Sequence, residues 1–202
     1  MPVRTRVTVP LEFADGYRTT AEVITFTGLA DGKEHLALAL GDVSSPSSQA
    51  PLVRMHSECM TGDVFGSQRC DCGPQLREAV ERIATAGGYL LYLRQEGRGI
   101  GLYAKLDAYA LQDLGMDTYE ANRALGHADD ERDYTAAAQM LTTLGATEID
   151  LLTNNPDKSR QLRDLGISVR SVRPTGVHAS AANVRYLQAK VAHTQHTIEL
   201  AS

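Results

Sequence analysis

No stretch of this chain is both long and apolar. The longest runs, such as Tyr89 to Leu93, are far too short to span a bilayer. The opening Met1-Pro2-Val3-Arg4-Thr5 has no apolar core of the kind a secretory signal carries, so no leader is expected. Basic charge is not in excess. The formal net charge is −5, which gives no general electrostatic footprint for duplex nucleic acid or an anionic membrane. No Gly-Lys-Ser/Thr occurs, so there is no Walker A loop. Cysteine is scarce and odd in number, with three residues, which argues against a disulfide framework and for a reducing cytoplasm. What is present is ordinary for a globular protein: 202 residues, 43% hydrophobic, enough to bury a core without staples.

The chain reads in two parts. From Arg4 to about Leu52 it is strand-like, with strands over Arg18 to Thr27 and His35 to Leu40. Asp15-Gly16 and Asp31-Gly32 are hairpin signals, and Val43 to Pro51 is a Pro/Ser-rich connection. Helices and strands then alternate. Leu76, Ala79, Val80, Ile83 and Ala84 recur at helical spacing, with Pro74 in the first turn and Gly87-Gly88 as the stop. Tyr89 to Leu93 is a buried strand. Helices follow from about Leu102 to Leu114 and from about Tyr134 to Leu144, each ended by glycine. Glu148 to Leu152 is a strand, Lys158 to Leu165 a short helix, and Ile167 to Val172 a strand; a last helix is expected from about Asn183 to Thr194. The class is α/β (α+β): an antiparallel N-terminal β part joined to alternating helices and strands.

All three cysteines lie between positions 59 and 72. Thiolates are soft ligands suited to zinc. Cys59 and Cys70 are separated by ten residues, enough to close a loop, while Cys70 and Cys72 flank one residue. Three protein ligands with water in the fourth position is the pattern of a catalytic zinc site. Two other readings stay open: His56 as a fourth ligand of a closed structural site, or three cysteines that are simply small buried apolar groups.

Gln95-Glu96-Gly97-Arg98-Gly99-Ile100-Gly101 joins a strand to a helix, where backbone N–H groups can meet an anion; it is equally a tight turn that needs glycine. Asp129-Asp130-Glu131-Arg132-Asp133 precedes a helix, as acidic residues at a helix N-terminus often do, but the guanidinium of Arg132 suits phosphate. Thr153-Asn154-Asn155-Pro156-Asp157-Lys158 lies at the carboxyl end of a strand, where α/β sheets bind ligands. Together these groups suggest a zinc hydrolase acting on something anionic.

Arg54-Met55-His56-Ser57-Glu58-Cys59-Met60-Thr61-Gly62-Asp63 followed by Arg69-Cys70-Asp71-Cys72-Gly73 strongly resembles GTP cyclohydrolase II. Arg94 to Arg98, Ala108 to Asp113, Asp117-Thr118, Asp130 to Tyr134 and Leu152 to Pro156 continue the likeness across roughly residues 35 to 158. The resemblance implies a GTP cyclohydrolase II-like fold, one domain over residues 1–202 and a homodimer. It also implies the first step of riboflavin biosynthesis: opening of the imidazole ring of GTP with release of formate and pyrophosphate to give a diaminopyrimidinone ribosyl phosphate. By the same likeness Cys59, Cys70 and Cys72 hold one zinc ion per subunit, and a magnesium ion accompanies the triphosphate. Tyr109, Asp130 and Arg132 take the catalytic positions: a proton donor near the metal, a proton acceptor, and a nucleophile at the α-phosphate. A phosphate clamp is the alternative for Arg132, because arginine at its normal pKa is a poor nucleophile. Arg54, Met55, His56, Ser57, Glu58, Gln75, Glu96, Gly97, Arg98, Thr118, Thr153 and Lys158 take the GTP-contacting positions.

The chain departs from the family pattern at Phe13 to Tyr17, Gly99, His127 and Asp157. It has no dihydroxybutanone-phosphate synthase segment, so a monofunctional protein is expected. The departures keep open a specialised paralogue that stops at the N-formyl product or feeds a secondary pathway. A non-catalytic zinc-stabilised binding module is the reading from another class.

Overall fold

A computed structural model describes residues 2–43, 50–180 and 183. They divide into two compact units: residues 2–43, 50–56, 76–94 and 134–175, and residues 57–75, 95–133, 176–180 and 183.

The first unit is built on a sheet. Among the described residues seven strands form it: β1 (Val3–Glu12), β2 (Arg18–Phe26), β3 (Leu36–Leu40), β4 (Leu52–Ser57), β5 (Gly88–Leu93), β6 (Glu148–Leu152) and β7 (Ser168–Arg173). Their order across the sheet is β1-β2-β3-β5-β4-β6-β7. β1, β2, β3 and β5 pair antiparallel in that order, whereas β4, β6 and β7 run parallel. The expected antiparallel start and alternating continuation are therefore both present in one α/β sheet.

The Asp15-Gly16 signal closes the β1–β2 hairpin, where Phe13 N–H donates to the Tyr17 carbonyl at 2.9 Å and Asp15 Oδ1 accepts from Tyr17 N–H at 3.1 Å. Asp31-Gly32 sits within a longer connection between β2 and β3. There Asp31 Oδ2 faces Nε2 of the buried His35 at 2.8 Å, while Arg94 N–H donates to Nδ1 of the same ring at 2.9 Å. A ring nitrogen that accepts from a backbone amide leaves the other to donate, which sets the tautomer.

Alternation sorts each strand's side chains between two cores. Leu90 of β5 joins Ala21, Leu40, Leu52 and Leu152 against α1 (Cys72–Ala86), which contributes Ala79, Val80 and Ile83. Tyr89, Leu91 and Leu93 join Ile24, Val53, Met55, Ile149 and Leu151 against α4 (Thr135–Thr143) and Leu162 of α5 (Pro156–Asp164). Strands covered on both faces read as nearly continuous apolar runs, as β5 does. α5 starts two residues earlier than the spacing suggests, because Pro156 supplies a preset first position and the Asn155 side chain accepts from Asp157 N–H.

The second unit carries a π-helical turn (Met60–Val64), a 3-10 turn (Glu96–Gly99), α2 (Leu102–Asp113) and α3 (Thr118–Ala124). α3 was not expected, since Thr118 to Ala124 shows little apolar periodicity. It is closed by a capping box: Asp117 accepts from Tyr119 and Glu120 N–H, and Glu120 accepts from Asp117 N–H. α1 begins at Cys72, so Pro74 falls in its first turn as expected and the third cysteine lies there as well. The helix expected over Asn183 to Thr194 lies outside the described residues beyond Asn183. Among the described residues no helix is long and apolar enough to cross a membrane.

Candidate active site

The three cysteines converge in the second unit. Their sulfur atoms all lie within 4.8 Å of one another, with Cys59 and Cys70 Sγ 3.7 Å apart. Among the described residues this is the one His/Cys/Asp/Glu group arranged to hold a metal ion, and it contains no histidine. The backbone is shaped for it. Gly62 lies so close that a Cβ there would stand 2.7 Å from Cys70 Sγ and 3.1 Å from Cys59 Sγ. A loop that reserves space for sulfur in this way, with three soft donors facing one point, fits zinc with an open fourth position. His56, the alternative fourth ligand, lies in the first unit with its ring stacked on Tyr92, centroids 5.6 Å apart.

Charge is unevenly shared within the cluster. Hydrogen bonds from Cys70 and Cys72, helped by the Lys105 ammonium, hold the Cys59 thiol far below its ordinary range despite burial. Cys70 and Cys72 are pushed up, chiefly by sharing those bonds with the Cys59 sulfur.

A cleft with a cavity volume of about 110 Å³ opens onto the sulfurs. Ser57, Glu58, Glu96, Gly97, Arg98 and Thr118 line it, as do Tyr109 and Arg132. Tyr109 sits on α2 with the Arg69 guanidinium 4.3 Å from its ring centroid, and Arg69 also donates to the Tyr109 carbonyl at 3.4 Å. Burial, with Cys70 and Cys59 nearby, raises the Tyr109 phenol above its usual pKa although Lys105 pulls the other way. It keeps its proton at neutral pH. Gly97 and Arg98 both adopt left-handed backbone conformations, with φ of 62° and 61°. That conformation is natural for glycine and strained for arginine. It places the Arg98 guanidinium 4.6 Å from the Tyr119 ring centroid.

A sequence profile described as GTP cyclohydrolase II matches residues 5–174. The chain is 55% identical over 180 residues to "GTP cyclohydrolase-2" of Vibrio cholerae, covering 89% of this chain and 90% of that protein. It is 50% identical over 198 residues to "GTP cyclohydrolase-2" of Aliivibrio salmonicida, covering 97% and 98%. This chain belongs to the GTP cyclohydrolase II family. A "Riboflavin biosynthesis protein RibBA" of Bacillus subtilis is 50% identical over 194 residues, which is 95% of this chain and 47% of that protein. The family is one of enzymes.

The remaining positions that match the GTP cyclohydrolase II pattern are placed as follows. Asp130 pairs with Arg132, accepting from Nε at 2.8 Å and from the backbone N–H at 3.1 Å, with Nη2 on its other oxygen. Burial raises the Asp130 carboxyl, but Arg132 outweighs it and holds it below the usual carboxylate value. Gln75 donates to Asp71 at 2.6 Å. In the first unit, Arg54 Nη1 donates to the Leu152 carbonyl at 3.2 Å and Lys158 Nζ to the Met55 carbonyl at 2.7 Å. The Met55 side chain is fully buried in the sheet core, and Thr153 Oγ1 accepts from Asn155 N–H at 3.0 Å. Arg54, Thr153 and Lys158 thus gather near the carboxyl ends of the parallel strands β4 and β6, the usual ligand side of such a sheet.

Sequence reasoning missed Lys105. Its ammonium reaches Cys59 Sγ, Thr61 Oγ1 and Glu96 Oε1, yet a single lysine on a helix is ordinarily a solvated one. The available signal was its spacing: it stands one helical turn before Tyr109, on the same face.

Proposed function

We propose that this chain opens the imidazole ring of GTP by zinc-dependent hydrolysis, releasing formate from C8 and pyrophosphate and leaving the diaminopyrimidinone ribosyl phosphate that starts riboflavin biosynthesis. The observation that carries this reading is the convergence, in one cleft, of a three-thiol cluster with Tyr109, Arg98 and Arg132. Zinc held by Cys59, Cys70 and Cys72 would supply Lewis acidity for the two hydrolytic steps. Magnesium would accompany the triphosphate. The resemblance and the family's "GTP cyclohydrolase-2" members support GTP as the small-molecule partner, and the B. subtilis relative's name supports the pathway.

The chain's own residues have distinct tasks in this reading. Tyr109 holds a proton that can be given to the ring nitrogen as the C8 bond breaks. Arg98 faces phosphate, and the Glu96-Gly97 turn with Thr118 and Ser57-Glu58 surrounds the nucleoside. The resemblance also assigns Arg54, Met55, His56, Gln75, Thr153 and Lys158 to GTP contact. Asp130 orients the Arg132 guanidinium toward the α-phosphate. A carboxyl held below its usual pKa is a weak base for a guanidinium proton, which favours a phosphate clamp over a covalent nucleophile at Arg132.

A homodimer is the proposed assembly, supported by Tyr103 and Leu106 on α2 with Leu114 beyond it, all exposed along one side. Free thiolates at a working site require a reducing compartment, hence the cytoplasm. Residues 1–202 are proposed to act as a single catalytic domain.

Purified protein incubated with GTP and Mg²⁺, with formate and pyrophosphate assayed separately, tests the proposal. Both products in equal amount are expected. Pyrophosphate without formate would replace it with the paralogue that stops at the N-formyl stage, and neither product would leave only a binding module. Cys70→Ser is expected to lose zinc and formate release together.

A further inference from the structure

Lys105 has no part in the reaction as set out above, yet it is only 8% exposed and sits beside the metal cluster. Its Nζ lies 3.1 Å from Cys59 Sγ, 3.0 Å from Thr61 Oγ1 and 2.8 Å from Glu96 Oε1. An ammonium has three protons and no acceptor capacity. Three acceptors at these distances use all three, so this lysine has nothing left for a phosphate.

Glu96 is similarly committed. Its Oε2 accepts from Met60 N–H at 2.7 Å and its Oε1 from Gly97 N–H at 3.1 Å, and the residue is 6% exposed. One continuous path therefore runs from the Cys59 sulfur through the ammonium to the Glu96 carboxylate, and from there back to Met60, the residue after Cys59. The Tyr109 ring centroid lies 5.7 Å from the same ammonium.

We propose that Lys105 is a positioning residue that donates an outer hydrogen bond to the Cys59 thiolate of the metal site and fixes the Glu96 carboxylate with the same ammonium. This rests on the zinc reading of the cysteine cluster. A dication with three thiolates carries one net negative charge, and the buried Glu96 adds a second within reach of it. Lys105 is the cation that both anions face. The N–H···S bond holds the Cys59 sulfur in its ligating orientation. Outer hydrogen-bond partners of metal ligands act in this way in general, and their loss typically costs about 10–100-fold in metal affinity or activity. The ammonium also ties Cys59 and Thr61 at the start of the Met60–Val64 turn to the Glu96–Gly99 turn.

The test compares zinc-loaded wild type with Lys105→Met and with the double variant Lys105→Met/Glu96→Gln. The double is included because the single leaves a buried carboxylate without its cation, which can prevent folding. Zinc affinity is read by competition with a chromogenic chelator, and the sulfur-to-metal charge-transfer band is read in the cobalt-substituted forms. We expect affinity to fall about 10–100-fold and the band to shift in every variant that folds, with kcat falling more than KM rises in the Lys105→Met single variant. Wild-type affinity and an unmoved band in a folded variant overturn the proposal. If neither variant folds, the ¹⁵N-lysine NMR spectrum of the wild-type protein decides. A slowly exchanging Lys105 ammonium that shifts on exchange of zinc for cadmium supports the bond, and a resonance indifferent to the metal overturns it. Wild-type protein that takes up no zinc would sink the metal reading itself, a different result from any of these.

Discussion

Asp130 holds Arg132 by its guanidinium and by its backbone N–H at once, so the orientation of that side chain is set before any nucleotide arrives. Asp130→Asn keeps the shape but removes the charge that orients the guanidinium. Pyrophosphate release is expected to fall by about 10²-fold or more, the scale at which misplacement by an ångström acts. Arg132→Ala should cost at least as much, and mass spectrometry of that variant with GTP separates the two roles. A covalent guanylyl adduct seen in wild type and lost in Arg132→Ala identifies a nucleophile; no adduct in either protein identifies a clamp.

Tyr109→Phe retains the ring that the Arg69 guanidinium covers and removes only the phenol proton. Because burial keeps that phenol protonated well above neutral pH, its loss should act across the whole neutral range rather than along one limb of a pH profile. Formate release is expected to drop about 10²–10⁴-fold. Pyrophosphate release should drop far less. An equal loss of both would show that Tyr109 serves binding, not proton transfer.

Gly62→Ala tests the cradle around the sulfurs. The added methyl would stand 2.7 Å from Cys70 Sγ, so a ligand or the turn must move. Overpacking of this kind costs about 1–3 kcal/mol. If that cost falls on the metal site, zinc affinity weakens by roughly tenfold to a hundredfold. The far-ultraviolet circular dichroism spectrum should stay that of wild type. Chelator competition reads the affinity, and an unchanged value would mean that the cluster tolerates rearrangement.

Asp150 is 1% exposed, and it is held at a pKa of about 2 by Arg170, with Ser171 and Arg173 adding to the effect. An unfolded aspartate titrates near ~3.9. The pair therefore stabilises the fold fully above that value and loses its contribution as the pH falls from about 4 towards 2. Both arginines are partly exposed, so solvent screening limits the effect to about 1–2 kcal/mol. Urea denaturation midpoints across this pH window should fall in wild type by an increment that Asp150→Asn lacks.

Much of the sheet was legible because its signals are local. Gly87 and Gly145 end helices where a left-handed residue is needed, and the apolar run of β5 is bounded on both sides. The cysteines were legible for the same reason, all three falling in one short segment. α3 was not, because its marker is the Asp117–Glu120 capping box and not a stripe of apolar residues. Lys105 was not, because its partners stand at positions 59, 61 and 96, and no local pattern links a helix residue to three distant acceptors. The two-fold engagement of Glu96 by Lys105 and Met60 was hidden likewise.

Arg98 holds a left-handed backbone conformation that costs an L-residue about 1–2 kcal/mol relative to glycine. Arg98→Gly should therefore make the protein more resistant to heat while it loses the guanidinium over Tyr119. Durability and recognition are opposed at this single position. A search for hardier variants by screening melting temperature alone would drift toward glycine there and discard the guanidinium that the proposed function assigns to phosphate.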